Sequence, residues 1–300
     1  MPDARRIAVG VCVIAPFLIG AAAGAPGADS ADGGAAFRFT DPDIVESSGL
    51  VVTDASPGGL VVTTNDSGDS GRVFTVDPGT GSTVGVTAWT PEPRDVEALA
   101  PAGPGHVWVG DIGDNQHVRE SVEVLRVPVG RGRLETSPET YELTYPDGAR
   151  DAEALVSHPV TGQLFVITKG VFAGTVYAAP RQLRQGDTNL LEEVGEAPGI
   201  VTDATFLPGG GGVVMRTYSS AHLVAFPSWQ PVSSWDLPRQ DQGEGIALAG
   251  RQLLVSSEGA RSQVLRLALP SEARATDLRS PAWTSLRWLA TARGVPLPAG

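Results

Sequence analysis

Apolar and polar positions along this chain follow one short phrase that recurs five times. Each copy opens on a turn ending in a small or acidic residue and enters a short apolar strand. A second strand follows and ends in a polar, often Gly-containing loop. The openings are Glu46-Ser47-Ser48-Gly49-Leu50, Asp95-Val96-Glu97-Ala98-Leu99, Asp151-Ala152-Glu153-Ala154-Leu155, Thr202-Asp203-Ala204-Thr205-Phe206 and Gly243-Glu244-Gly245-Ile246-Ala247. With Ser48, Glu97, Glu153, Thr202 and Glu244 as markers, the intervals are 49, 56, 49 and 42 residues, in the range of propeller blades at roughly 40–50 residues each.

Four β-rich runs bounded by turn residues are predicted in each of the first four copies. In the first they are Gly49–Thr53, Leu60–Thr64, Arg72–Val76 and Thr83–Trp89, and in the second Ala98–Ala100, His106–Val109, Ser121–Val127 and Thr140–Tyr145. The third gives Ala154–Ser157, Gln163–Thr168, Thr175–Ala178 and Leu191–Val194, and the fourth Ala204–Leu207, Gly212–Thr217, His222–Phe226 and Val232–Leu237. The fifth shows Gly245–Leu248, Gln252–Ser256 and Gln263–Leu267 and then lacks a fourth run. Upstream, Phe37-Arg38-Phe39-Thr40 precedes Glu46 as Tyr141-Glu142-Leu143-Thr144 precedes Glu153. This N-terminal strand is expected to complete the fifth sheet, which removes an exposed sheet edge. The fold class is therefore all-β, a five-bladed β-propeller over residues 37–270 closed by its N-terminal strand. The alternatives are a sixth blade built from Thr276–Trp288, or a sandwich of two sheets. No sustained 3.6-residue period predicts a long helix. Residues 271–300 form a C-terminal extension in which Pro281–Thr291 suits one short helix, with Trp283 and Trp288 packing back on the body.

Composition agrees with a turn-rich globular chain: 41% of 300 residues are hydrophobic, with 37 Gly and 24 Pro. The first residues read as an export signal over 1–25, with Arg5 and Arg6 before an apolar stretch from Ile7 to Ile19 and the small residues Ala21-Ala22-Ala23 after it. An uncleaved anchor is the other reading. A flexible leader over 26–36 would follow, and the mature chain is expected outside the cell as a monomer with no membrane attachment. The only cysteine, Cys12, lies inside the signal, so the mature chain has neither disulfides nor thiol chemistry.

A net charge of −12 excludes nucleic acid as a partner, because no basic stripe is there to release phosphate counterions. It suits a metal, a cationic small molecule or another extracellular ligand. In a blade of alternating strands, the fourth-to-first and second-to-third loops emerge at one face. Glu46, Asp95, Glu97, Asp151, Glu153, Asp203, Glu244, Asp66, Asp69, Asp111, Asp114 and Glu258 are therefore expected to crowd one end of a central channel. Carboxylates so gathered raise one another's pKa or demand a cation. Outside a cell the natural one is Ca2+, which takes oxygen ligands.

Glu46, Asp66, Asp69, Asp111, Asp114 and Glu258 are the candidate metal ligands, the strings Asn65–Asp69 and Asp111–Asn115 resembling acidic oxygen-ligand loops. The same residues also simply make turns. Asp95, Glu97, Asp151, Glu153 and Glu244 are candidates to hold metal or act as a base. Arg216 and Lys169, the one lysine of the chain, close second strands and could serve either as counter-charges or as an anion clamp.

Other chemistries fall away. Gly68-Asp69-Ser70-Gly71 looks like the nucleophile motif of trypsin-like proteases, but the first histidine, His106, comes after it. The histidines 106, 117, 158 and 222 have no zinc spacing, and no phosphate-loop or dinucleotide glycine motif occurs in context. The pairs Asp95/Glu97 and Asp151/Glu153 put both members on one side of an extended strand.

From about Glu46 to Glu258 the chain resembles a group of exported bacterial propeller proteins. The resemblance is carried by Glu46-Ser47-Ser48-Gly49-Leu50, Asn65-Asp66-Ser67-Gly68-Asp69, Gly110-Asp111-Ile112-Gly113-Asp114-Asn115, Tyr145-Pro146-Asp147-Gly148, Asp151-Ala152-Glu153-Ala154-Leu155 and Gln242-Gly243-Glu244. More remotely it is similar to β-propeller phytases and the esterase-like proteins near them, which would imply calcium and phosphomonoester hydrolysis. The phytase metal and phosphate motifs are not matched string for string, so no catalytic residue carries over. Two functional readings stand: a calcium-dependent hydrolase of phosphoesters or lactone-like esters, and a non-catalytic binding propeller for an extracellular protein or glycan.

Overall fold

The computed structural model describes residues 33–53, 59–66 and 68–278. The signal segment, most of the leader and the Trp283/Trp288 helix lie outside them. The described chain begins in β1 (Gly34–Arg38) and then builds five sheets in order. Blade 1 holds β2 (Ser47–Val52), β3 (Val61–Asn65), β4 (Arg72–Asp77) and β5 (Ser82–Trp89). Blade 2 holds β6 (Val96–Pro101), β7 (His106–Asp111) and β8 (Val122–Pro128), then β9 (Gly132–Thr136) leaves the sheet and β10 (Glu139–Thr144) returns to it. Blade 3 comprises β11 (Ala152–Ser157), β12 (Leu164–Thr168), β13 (Ala173–Ala178) and, after β14 (Asn189–Leu190), β15 (Glu192–Pro198). Blade 4 is β16 (Val201–Phe206), β17 (Gly212–Thr217), β18 (Ser220–Ala225) and β19 (Gln230–Asp236). Blade 5 is β20 (Gly243–Ala249), β21 (Gln252–Ser257) and β22 (Gln263–Ala268), and one helix follows, α1 (Ser271–Leu278).

The architecture is a five-bladed β-propeller. Its first strands β2, β6, β11, β16 and β20 touch one another in a closed ring, which excludes the sandwich. These strands are buried on both faces, and so they read as apolar runs rather than as alternation. Five hydrophobic clusters fill the five gaps between neighbouring blades. The one between blades 3 and 4 is aromatic: Phe165, Phe206, Phe226 and Trp229 meet edge to face with centroids 5.2–6.4 Å apart, a favoured geometry for ring pairs. Helix α1 runs into the start of the Thr276–Trp288 segment, the alternative for a sixth blade whose remainder lies outside the described residues, and tucks Ala273 into the cluster of blades 4 and 5.

The expected closure is present. Strand β1 pairs antiparallel with β22, from Gly34 opposite Arg266 to Arg38 opposite Gln263, and it begins three residues before Phe37. Just beyond it the Phe39 amide reaches Ser262 O at 3.1 Å, and the Thr40 amide reaches Gly81 O of blade 1 at 2.9 Å. Phe39 and Ile44 are buried between blades 5 and 1. Two strands escape the repeat pattern. β9 adds in parallel to β5, and β14 adds in parallel to β10, so blades 2 and 3 each lend an outer strand to the preceding blade. β9 is a polar, exposed segment with no alternation, so its sequence carries no strand signal.

Truncation of Phe39 tests the closure. Phe39→Ala should cost about 3–5 kcal/mol of unfolding free energy, measured by urea denaturation. A loss under about 1 kcal/mol would mean the ring holds without this plug.

Candidate functional site

The repeat register brings the polar residues to one face. The amides of Asp66, Gly113, Lys169 and Glu258 donate to the carbonyls of Glu46, Asp95, Asp151 and Gln242 at 2.9–3.1 Å. In blade 4, Val201 pairs with Thr217, which puts Tyr218 in the same position. Five equivalent positions therefore surround the mouth of the channel: Asp66, Gly113, Lys169, Tyr218 and Glu258. Just inside them lie the repeat markers Ser48, Glu97, Glu153, Thr202 and Glu244, all buried. Ser48 Oγ donates to Glu97 O at 2.8 Å, and Thr202 Oγ1 donates to Glu244 O at 3.0 Å. Each thus binds the backbone of the equivalent residue one blade on.

Three of the carboxylates converge. Ligand oxygens of Asp66, Asp95 and Glu97 all lie within 4.8 Å of one another. Room for them comes from Gly113, since a Cβ there would stand 2.5 Å from Asp95 Oδ2 and 2.8 Å from Glu97 Oε1. Glu97 is only 3% exposed, and among the described residues no hydrogen-bond donor reaches its carboxylate. Asp95 Oδ1 is likewise buried without a partner. Burial first, then the charges of Glu153, Asp66 and Asp95, holds the Glu97 carboxyl well above the usual range. Burial and the charges of Asp66, Asp151 and Asp111 push Asp95 up to about 6.

Across the mouth, Lys169 Nζ contacts Glu153 Oε1 at 2.6 Å and sits 5.7 Å from the centroid of the Tyr218 ring. Burial works against the Lys169 charge, but Glu153, Tyr218 and Glu244 outweigh it and raise its pKa. Burial pulls Glu153 the other way, toward its neutral form. The short contact decides for the ionised pair. Burial and the charge of Glu153 also lift Glu244 well above the ordinary value. Glu258 is pushed up to about 7 by burial, Asp66 and Glu46.

Other candidates are committed to the framework. Asp69 takes a two-pronged grip from Arg72 at 2.8 and 2.9 Å, plus Asn65 Nδ2 at 2.8 Å. Asp111 accepts the amides of Arg94 and Asp95 at 2.9 and 3.0 Å and Arg119 Nη1 at 2.7 Å. Asp114 accepts the Val118 and Arg119 amides, and its own amide donates to Asp151 Oδ1 at 2.8 Å. Asn65 repeats the role of Asp111 one blade earlier by accepting the amides of Val45 and Glu46. Glu46 lies exposed at the rim, its pKa raised by burial, Asp66 and Asp69. Asp203 is fully buried and staples inner strands, accepting Ile246 N at 2.7 Å and Ala204 N at 2.8 Å.

Arg216 does not reach the mouth. It is fully buried and donates to Gly245 O at 2.6 Å, Ser256 O at 2.8 Å and Gln240 Oε1 at 2.7 Å. Burial lowers its pKa to about 10. From sequence, Gly113 and Tyr218 head second-to-third loops of this face, as Lys169 and Glu258 do, but no role at the site is assigned to them. Sequence reasoning passes over Arg119, and its service to Asp111 appears only in the structure.

No protein-family model matches the chain, and no curated protein matches it. Among solved structures, the glutaminyl cyclase of Myxococcus xanthus superposes with a TM-score of 0.48 at 12% identity, covering 80% of this chain and 97% of that one. A gluconolactonase from Xanthomonas campestris superposes with a TM-score of 0.43 at 14% identity, covering 83% and 99%. Likeness at this level carries no argument about activity, and neither protein is a phytase.

Two predictions follow from this geometry. A carboxyl with a raised folded pKa binds more protons folded than unfolded, so its contribution is complete below the unfolded value and fades as pH rises toward the folded one. With chelator present, the melting temperature should therefore fall from about pH 4.5 to about pH 7, as Asp95 and Glu258 ionise. A melting temperature that rose across that interval would contradict the clustering. Arg216→Met strands two backbone carbonyls and should cost about 3 kcal/mol or more in denaturation.

Proposed function

We propose that the acidic mouth binds a divalent cation, Ca2+, through Asp66, Asp95 and Glu97, and that the bound ion serves hydrolysis of a phosphoester or ester laid across the mouth. The observation that carries this reading is the convergence of the Asp66, Asp95 and Glu97 ligand oxygens within 4.8 Å in the space Gly113 leaves, with Asp95 Oδ1 buried and unpartnered among the described residues. A carboxylate so placed is costly to ionise unless a cation joins it. Oxygen-only ligands suit a hard ion. Export, read from the first 25 residues, would bring the chain where such ions are plentiful.

When bound, the ion would supply Lewis-acid polarisation of a phosphoryl or carbonyl oxygen. Glu258, beside Asp66 and titrating near neutrality, takes a proton from the attacking water. The water oxygen bonds to phosphorus or to the acyl carbon, the ester P–O or C–O bond breaks, and the leaving alcohol oxygen regains a proton from Glu258. Lys169 faces the negative charge that develops on the substrate oxygens, and Glu153 fixes its position. Asp151 and Glu244 bound the site without a direct step. The excess of carboxylates over the one lysine also favours a second reading, in which the mouth simply holds a cationic extracellular ligand.

Calorimetric titration of the chelator-treated protein with CaCl2 tests the first reading. A single binding event is expected, weakened at least about tenfold in Glu97→Gln and in Gly113→Ala, together with a rise in melting temperature. Turnover of nitrophenyl phosphate or nitrophenyl ester substrates should vanish in Glu97→Gln and fall about a hundredfold or more in Lys169→Met. Absence of both heat and melting shift would sink the metal. Calcium binding without turnover on any of these substrates would favour the binding module.

A further inference from the structure

The loops around the mouth carry an apolar rim that the acidic chemistry does not use. Nine large apolar side chains are exposed among the described residues, and five of them, Val45, Val118, Val171, Phe172 and Ile200, lie in loops of this one face. Single exposed apolar residues need no explanation, but a group gathered beside a polar site does. Phe172 is 95% exposed and Val171 74%. Both sit at the tip of the β12–β13 hairpin whose base is Lys169, and the Cα atoms of Phe172 and Lys169 are at most about 11 Å apart.

The tip is held in place. Ile200, in the adjoining connection to blade 4, donates its amide to Gly170 O at 2.8 Å. A Cβ on Gly199 would come within 2.6 Å of Val171 O and 2.7 Å of the Phe172 carbonyl carbon, so the two loops lie backbone against backbone. Ile200 itself has φ of 58°, a left-handed conformation costly for a β-branched residue. An apolar side chain is thus presented at the surface at the expense of local strain, when glycine would fit the backbone without it.

We propose that the substrate is an amphiphile whose alkyl, acyl or aryl arm lies on Val171, Phe172 and Ile200 while its ester head occupies the mouth. The proposal rests on the hydrolase reading above and specifies its substrate class. Between neighbouring blades the inner strands leave no gap for the arm: a Cβ on Gly49 would meet Leu99 N of blade 2 at 2.6 Å, and one on Gly245 would meet Leu50 Cβ of blade 1 at 2.9 Å. Charged side chains, Asp66, Lys169 and Glu258, hold three of the five positions around the mouth. An apolar arm therefore runs outward, and the hairpin that carries Lys169 has an apolar tip. A bilayer is the less fitting occupant, because an acidic face is repelled by anionic lipid headgroups.

The test uses n-alkylphosphonates, from methyl to octyl, titrated calorimetrically into the full chain with CaCl2 present, with calcium affinity measured in the same preparations. Affinity should tighten at least about tenfold from butyl to octyl. In Phe172→Ser, and in Ile200→Gly, that gain should shrink to about threefold or less, with calcium and methylphosphonate affinities unchanged. A chain-length gain that survives both variants overturns the rim. Calcium binding with no chain-length gain in the wild type overturns the rim and leaves the metal centre standing. A Phe172-dependent gain without calcium binding removes the metal and keeps the rim. Phe172-dependent sedimentation with phosphatidylcholine vesicles, without a chain-length gain, overturns the proposal in favour of a membrane contact.

Discussion

Five inner strands can meet around one axis only if the side chains nearest it are small and the backbone is satisfied sideways. Gly49 and Gly245 permit the approach, and Ser48, Thr202 and Asp203 supply the lateral bonds from blade to blade. The ring also has to close, and it does so with a strand from the far end of the chain: β1 completes blade 5, and Phe39 fills the seam with blade 1. Residues far apart in sequence share a channel mouth because of this closure. The cluster between blades 5 and 1 presupposes it, since an open ring would leave two sheet faces without a partner.

Closure creates an electrostatic difficulty that the loops resolve unequally. Asp69, Asp111 and Asp114 are each met by two or more donors. These carboxylates hold the loops in shape. Among the described residues no donor reaches the Glu97 carboxylate, Asp95 Oδ1 is without a partner, and Glu244 takes a bond from Gln242 at 3.4 Å. One lysine, engaged with Glu153, cannot neutralise them all. The acidic residues of the mouth thus divide by their hydrogen-bond partners into a framework set and a set left open to a cation, even though all belong to one compositional excess.

The repeat was legible because propeller strands buried on both faces leave dense apolar runs, and because turn residues punctuate them at blade intervals. The fourth strands of blades 1 to 4 fell where the runs predicted, and the upstream Phe37-Arg38-Phe39-Thr40 segment found its place in blade 5. β9 and β14 did not show, since one is mostly polar with a single apolar residue, Leu134, and the other is two residues long. The gathering of Glu97, Glu153 and Glu244 was also readable, being a consequence of loop direction alone. Which oxygens touch was not. Asp111 and Asp66 look alike in sequence, and only the presence of Arg119 beside the first and of Gly113 opposite the neighbours of the second separates them. Arg216 shows the same limit. Its position at the end of a second strand suggested the mouth, but its side chain turns inward to bind Gly245 and Ser256.

The chemistry is concentrated where the repeat is broken. A symmetric ring with a carboxylate at every marker would put five like charges around one narrow axis, an arrangement that repulsion and desolvation both oppose. Ser48 and Thr202 relieve it at two positions and convert them into bonds between blades. Outside the markers, one backbone position carries Asp66, Gly113, Lys169, Tyr218 and Glu258 in turn, so an acid, a gap, a cation, a ring and a second acid face a common centre. Backbone geometry repeats to within a few tenths of an ångström in these hydrogen bonds, while the side chains are of four different kinds. A fold whose stability comes from sameness can accept such variety at its mouth, because the interblade cores that hold the ring lie between the sheets and not on the axis.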